Sequence, residues 1–181
     1  IDSRLAKANF ATDIETILDQ MQLYDGPKEK RIIKNVAAMM FSEHPEKFFP
    51  TTQVDIVVFP KGREVDPENF IEVPPIKGPV PMMIRNSLEY LRTNIIKERI
   101  TKPTDDERSL KVFNYPFQAL EEAVVNALYH RDYKEREPVE ITIEPDRISI
   151  LSYSGPDRSI SLESLKEANM LRSRRYRNRR L

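Results

Sequence analysis

Tyr115-Pro-Phe-Gln-Ala-Leu-Glu-Glu-Ala-Val-Val-Asn-Ala-Leu-Tyr-His-Arg-Asp-Tyr133 is the stretch from which the rest of the chain can be read. Pro116 suits a first helical turn, and no Gly or Pro interrupts the run until Pro138. At about 100° per residue, Leu120, Val124 and Ala127 line one face of the predicted helix. Glu122 and Asn126, four residues apart, stack on another. A carboxylate and an amide therefore project together from a helix whose packing requires neither. An amide oxygen can ligate Mg²⁺ among phosphate oxygens and waters, and a carboxylate can orient or deprotonate a water. The same spacing, taken alone, also describes a solvated helix face.

Working outward, Val139, Ile141 and Ile143 share one face of a strand. Pro145-Asp146 makes a turn, and Ile148 and Ile150 return in a second strand. Upstream, Val54, Ile56 and Val58 alternate as a strand, Phe70–Val73 reads as a short second one, and Lys61–Glu68 as a surface loop. Ile84, Leu88, Leu91 and Ile95 recur at helical spacing through about Lys97. Nearer the start, Ile14, Ile17, Leu18 and Met21 predict a packing helix over 11–23. After Asp25-Gly26-Pro27, a second helix is expected over 28–41, with Ile32, Val36, Met39 and Met40 inward. His44 is expected to be structural. Leu110–Phe113 leads into the central helix. The polar, aperiodic stretch Thr101–Arg108 marks the expected boundary between an upstream helix–strand–helix segment, 1–100, and a second module, 101–181. The predicted class is α/β (α+β), with helices packed on a mixed sheet.

The composition, 39% apolar and 32% charged over 181 residues, supports one or two small cores. No apolar run approaches the roughly 20 residues that cross a bilayer, and no signal segment opens the chain, so a cytoplasmic location is expected. With no cysteine and only two histidines, a thiolate or His-rich metal centre is excluded, and any metal is expected to be Mg²⁺ held by oxygen.

Glu122-Ala-Val-Val-Asn126-Ala-Leu-Tyr-His130-Arg131-Asp132-Tyr133, followed by the strand pair Val139–Glu144 and Arg147–Tyr153, resembles the N-box region of a family of prokaryotic proteins. These carry a GHKL (Bergerat-fold, histidine-kinase-like) ATPase module and are often described as RecG-like or as transcriptional regulators. Ala37–Pro50, then Val54–Phe59, is similar to the segment that in this family joins an N-terminal DNA-binding domain to the ATPase-like module. The resemblance implies an incomplete GHKL-like sandwich in 101–181, with ATP and Mg²⁺ as cofactors. It implies Glu122 as catalytic base and Asn126 as metal ligand. Nucleotide binding falls to Asn126, His130, Arg131, Asp132 and Gly155. DNA as a partner through a domain outside these residues, self-association, and no membrane contact are further implications. Because the chain opens at Ile1 and stops at Leu181, it is expected to be an excised part that ends before the Gly-rich box of the nucleotide lid. One departure stands out: Ser152-Tyr153-Ser154-Gly155 has no aspartate two residues before the glycine, where the family places its adenine contact. Two readings therefore stay open: ATP binding with hydrolysis in a longer protein, and a non-catalytic interaction scaffold with a degenerate ATPase fold.

His130-Arg131-Asp132 also spells the protein-kinase catalytic triplet, but the metal-binding Asn of a kinase is missing, since position 137 is Glu. The four glycines, Gly26, Gly62, Gly78 and Gly155, form neither a Gly-rich loop nor a Walker A motif. Cations at the C-terminal end of a helix explain His130 and Arg131 as well as a phosphate role does. Six of the 29 basic residues, Arg172, Arg174, Arg175, Arg177, Arg179 and Arg180, fall in one run, leaving 23 basic against 29 acidic elsewhere. A solvated end, a nucleotide contact and a nucleic-acid contact are the readings of that run, in that order.

Overall fold

The computed structural model describes residues 14–101, 110–153, 155, 160, 161, 163, 166 and 178. In chain order the elements are α1 (Ile14–Gln20), β1 (Tyr24–Asp25), β2 (Ile32–Ile33), α2 (Asn35–Phe41), β3 (Gln53–Val58) and β4 (Ile71–Lys77). There follow α3 (Val80–Asn94), β5 (Glu98–Thr101), β6 (Leu110–Phe113), α4 (Phe117–His130), β7 (Val139–Ile143) and β8 (Ile148–Leu151). The fold is α+β, as expected.

Alternation of apolar residues in β3 and β7 builds the centre of a four-stranded mixed sheet of order β4-β3-β7-β8. The central pair is parallel, with Val54 beside Val139, Ile56 beside Ile141 and Val58 beside Ile143, and both flanking pairs are antiparallel. One face of these strands is sealed: Val54, Ile56, Val139 and Ile141 are at most 1% exposed. They pack in one core with Met83, Leu88 and Leu91 of α3 and Val124, Ala127 and Leu128 of α4. Burying each such side chain contributes about 1.5–3 kcal/mol, so the sheet and its two helices cohere through this layer. Strands from both sides of the expected boundary at residue 101 share that sheet and that core.

Four local outcomes differ from or add to the sequence reading. The helix expected over 28–41 is broken into a single 3-10 turn at Lys28–Lys30, the strand β2 and the shorter α2. Gly26, at φ 84, turns the chain so that β2 pairs back on β1, and a Cβ there would lie 2.6 Å from the Lys30 carbonyl oxygen. Ile32, expected inward, is 63% exposed. Strand β4 runs past Pro74-Pro75 instead of stopping at Val73. The register jumps from Val54–Ile76 to Ile56–Val73, so the two prolines together oppose Asp55 as a bulge. Proline is tolerated there because β4 is an edge strand, where a missing N–H breaks no ladder. Finally, β5 and β6 pair antiparallel as an arm, Glu98 beside Phe113, a pairing not read from the sequence. The connector expected at 101–108 lies, apart from Thr101, outside the described residues.

The face of the sheet opposite the helices carries Asp55, Val57, Glu140 and Thr142, with Asp55 and Glu140 side by side in register. Two-faced burial predicts unequal costs. Ile141→Ala should lower stability by about 2–5 kcal/mol through lost burial and a cavity, and Val57→Ala on the open face by less than about 1 kcal/mol. Chemical denaturation of both variants checks this, and equal losses would contradict the one-sided core.

Candidate functional site

Helix α4 opens after Pro116, whose φ of −71° and ψ of 119° place it at the N-cap. Its buried residues are Leu120, Val124, Ala127 and Leu128, and the last three share one core with the sheet and α3. Glu122 and Asn126 lie on the opposite, exposed face, as their spacing predicts, and neither has a hydrogen-bond or ion-pair partner among the described residues. His130, partly buried, stands edge-on to the Tyr129 ring at 4.9 Å. It lies eight residues beyond Glu122, about 12 Å along the axis at 1.5 Å per residue. Gly155 is exposed at φ 73. A surface depression of about 280 Å³, lined by Asp55, Glu72, Pro75, Glu140 and Thr142 among others, sits on the other side of the sheet from this helix.

Polar density concentrates where α4 ends. The last four carbonyls of a helix have no intrahelical donors, and three of the four here receive side chains. Ser152 Oγ donates to Ala127 O at 2.7 Å, Tyr133 Oη to Leu128 O at 2.8 Å, and Asn178 Nδ2 to Tyr129 O at 2.7 Å. Asn178 Nδ2 also donates to Arg131 O at 2.8 Å. Asp132 shapes the turn that follows: its N–H donates to Tyr153 O, and its Oδ1 accepts from Lys134 N at 3.0 Å.

Arg131 is 0% exposed. Its Nε and Nη2 donate to Glu137 O, at 3.1 and 2.6 Å, and Nη2 also reaches Thr51 O and Glu135 O at 3.1 and 3.2 Å. Its guanidinium lies 4.9 Å above the Tyr133 ring. Among the described residues, Nη1 is buried without a hydrogen-bond partner. Burial lowers the Arg131 pKa, and the nearby Tyr133 and Asp132 offset part of that shift. Burial pushes the Tyr133 phenol well above its ordinary range, against the pull of the Arg131 charge.

The residues expected to act as catalytic base or to bind nucleotide thus divide. Glu122 and Asn126 project outward, whereas Arg131 and Asp132 are engaged by backbone groups of the turn after α4, of Thr51 before β3 and of Tyr153 after β8. The sequence reading assigns no role to Thr51, Tyr133, Ser152 or Asn178. Only the polar sequence His130–Tyr133 hinted that the helix end was specialised. The six arginines of 172–180 lie outside the described residues, and Asn178, in their midst, does not. Among the described residues, no group of three or more His, Cys, Asp or Glu side chains is arranged to hold a metal ion, and no helix is long and apolar enough to cross a membrane.

No protein-family model matches the chain, and no curated protein matches it in sequence. Its fold is similar to that of the DIP2311 protein from Corynebacterium diphtheriae, at a TM-score of 0.65 and 20% identity. The likeness covers 100% of this chain and 35% of that one, and at this identity it speaks for the fold alone.

Tyr133 yields a pH prediction. A phenol raised in the folded state stays protonated there, while the unfolded one ionises near pH 10. Stability from this group is therefore fully present below about pH 10 and falls as pH rises above it. Tyr133→Phe should lose about 1 kcal/mol at neutral pH with the bond to Leu128. The gap to wild type should narrow at alkaline pH. Denaturation midpoints at pH 8 and 11 test this, and a constant gap would contradict it.

Proposed function

We propose that the chain is part of a cytoplasmic prokaryotic transcriptional regulator that binds DNA through a domain outside residues 1–181, self-associates, and carries in 101–181 an incomplete GHKL-like ATP-binding module. The observation that carries this reading is the pair Glu122 and Asn126, both exposed, one turn apart on a helix whose other face is locked into the core. Mg²⁺ is commonly held by one or two protein oxygens among waters and phosphates. The exposed amide oxygen of Asn126 fits that requirement, with Glu122 placed to orient or deprotonate a water one turn earlier. His130 and Gly155 contribute, on this reading, to the same nucleotide site. On this reading Arg131 and Asp132 contribute by holding the turn after α4, not by touching a phosphate.

A scaffold with a degenerate ATPase fold is the second reading. Two observations favour it: the Arg131 donors are directed to backbone carbonyls, and Tyr153, where the family has its adenine-binding aspartate, offers its carbonyl to Asp132.

Calorimetric titration of MgATP into a longer protein containing these residues, beside residues 1–181 alone, separates the two. The nucleotide reading expects micromolar binding by the longer protein and weak or no binding by 1–181. In the longer protein, Glu122→Gln should lower turnover by about 10²–10⁴-fold with little change in affinity. Asn126→Ala should instead weaken Mg²⁺-dependent binding. Absence of binding by the longer protein, or equal small effects of the two substitutions, would leave the scaffold.

A further inference from the structure

Helices often close with a left-handed glycine that turns the chain back onto the last carbonyls. Helix α4 does not: the residue after it, Arg131, has φ −56° and ψ 141°, an extended conformation that leads the chain away. Its terminal carbonyls are closed by side chains instead. Ser152 follows β8, which packs beside α4, and Tyr133 lies in the turn just beyond the helix. Asn178 comes from 49 and 47 residues downstream of its two acceptors, Tyr129 O and Arg131 O. Its amide group has two hydrogens, enough for both bonds. Donors at this end also complement the negative pole of the helix dipole.

We infer that Asn178 is a positioning residue for the exposed face of α4, a C-terminal cap supplied from a distant part of the chain. The link to Asn126 is direct. In α-helical geometry the N–H of residue i bonds the carbonyl of residue i−4, so the bond that closes the last turn of α4 runs from His130 to Asn126. Seating Asn178 on Tyr129 O and Arg131 O holds that turn closed, and with it the backbone from which the Asn126 amide projects. Without the seat, the turn frays toward the exposed face. The cap rests on hydrogen-bond geometry alone; its bearing on a ligand rests on the nucleotide reading above.

Amide hydrogen exchange on the longer protein tests this with Asn178→Ala and Asn178→Asp. Aspartate keeps the shape of asparagine but sets anionic acceptors against two carbonyls at the negative end of the helix, so the two substitutions separate a donor role from space filling. Exchange at residues 128–131 should quicken about tenfold in the alanine variant and further in the aspartate variant. Amides of β3 and β7 should keep their protection, showing that both variants fold. MgATP affinity should fall in the same order. Unchanged exchange at 128–131 in both variants, or an aspartate variant no worse than alanine, would overturn the inference. If the wild-type protein binds no MgATP while the exchange order holds, the nucleotide reading falls and the cap stands.

Discussion

A guanidinium taken out of water needs acceptors, and the arrangement around Arg131 supplies them to Nε and Nη2. Among the described residues, no carboxylate pairs with it. Its donors are met by the carbonyls of Thr51, Glu135 and Glu137, drawn from two places far apart in sequence. Thr51 lies two residues before β3 and Glu137 two residues before β7, so one side chain grips the entries of both parallel strands. An antiparallel pair has a hairpin to set its register, whereas a parallel pair joined by a long crossover has none. The Arg131 clamp supplies that fixed point between β3 and β7. It also accounts for Thr51 itself, a β-branched residue at φ 60, a conformation that costs about 1–3 kcal/mol and persists only where neighbours hold it.

What was legible in the sequence follows the range of the interactions. The helix around Glu122, the strand at Val54–Val58 and the hairpin after Pro138 were read from period and turn chemistry, because each signal lies within a dozen residues. The stretch 28–41 departs from its helical pattern because Ile32 and Ile33 fit a strand as well as a helical spacing. Their pairing with Tyr24 and Asp25 depends on the turn at Gly26. The continuation of β4 through two prolines depends on its place at the sheet edge, which no local pattern states. Arg131 and Asn178 were beyond reach for the same reason: the acceptor at Thr51 lies 80 residues from its donor, and those at Tyr129 and Arg131 lie 49 and 47 from theirs.

Helix α4 therefore divides its labour along its length. Its middle presents Glu122 and Asn126 outward with no structural duty assigned to their side chains, while its end is occupied by contacts that fasten distant segments. An exposed polar pair on a rigid support is the arrangement a binding surface needs, because the ordering of the backbone is supplied by the core and not by the ligand.

The bulge at Pro74-Pro75 gives the sheet a direction. On the β4 side, two residues without N–H groups, set opposite a single partner, deny an incoming strand the regular ladder of donors it would need. The Ile148–Leu151 side carries no proline and no charge. Among the described residues, the sheet thus has one border interrupted by proline and one whose ladder of backbone donors is unbroken.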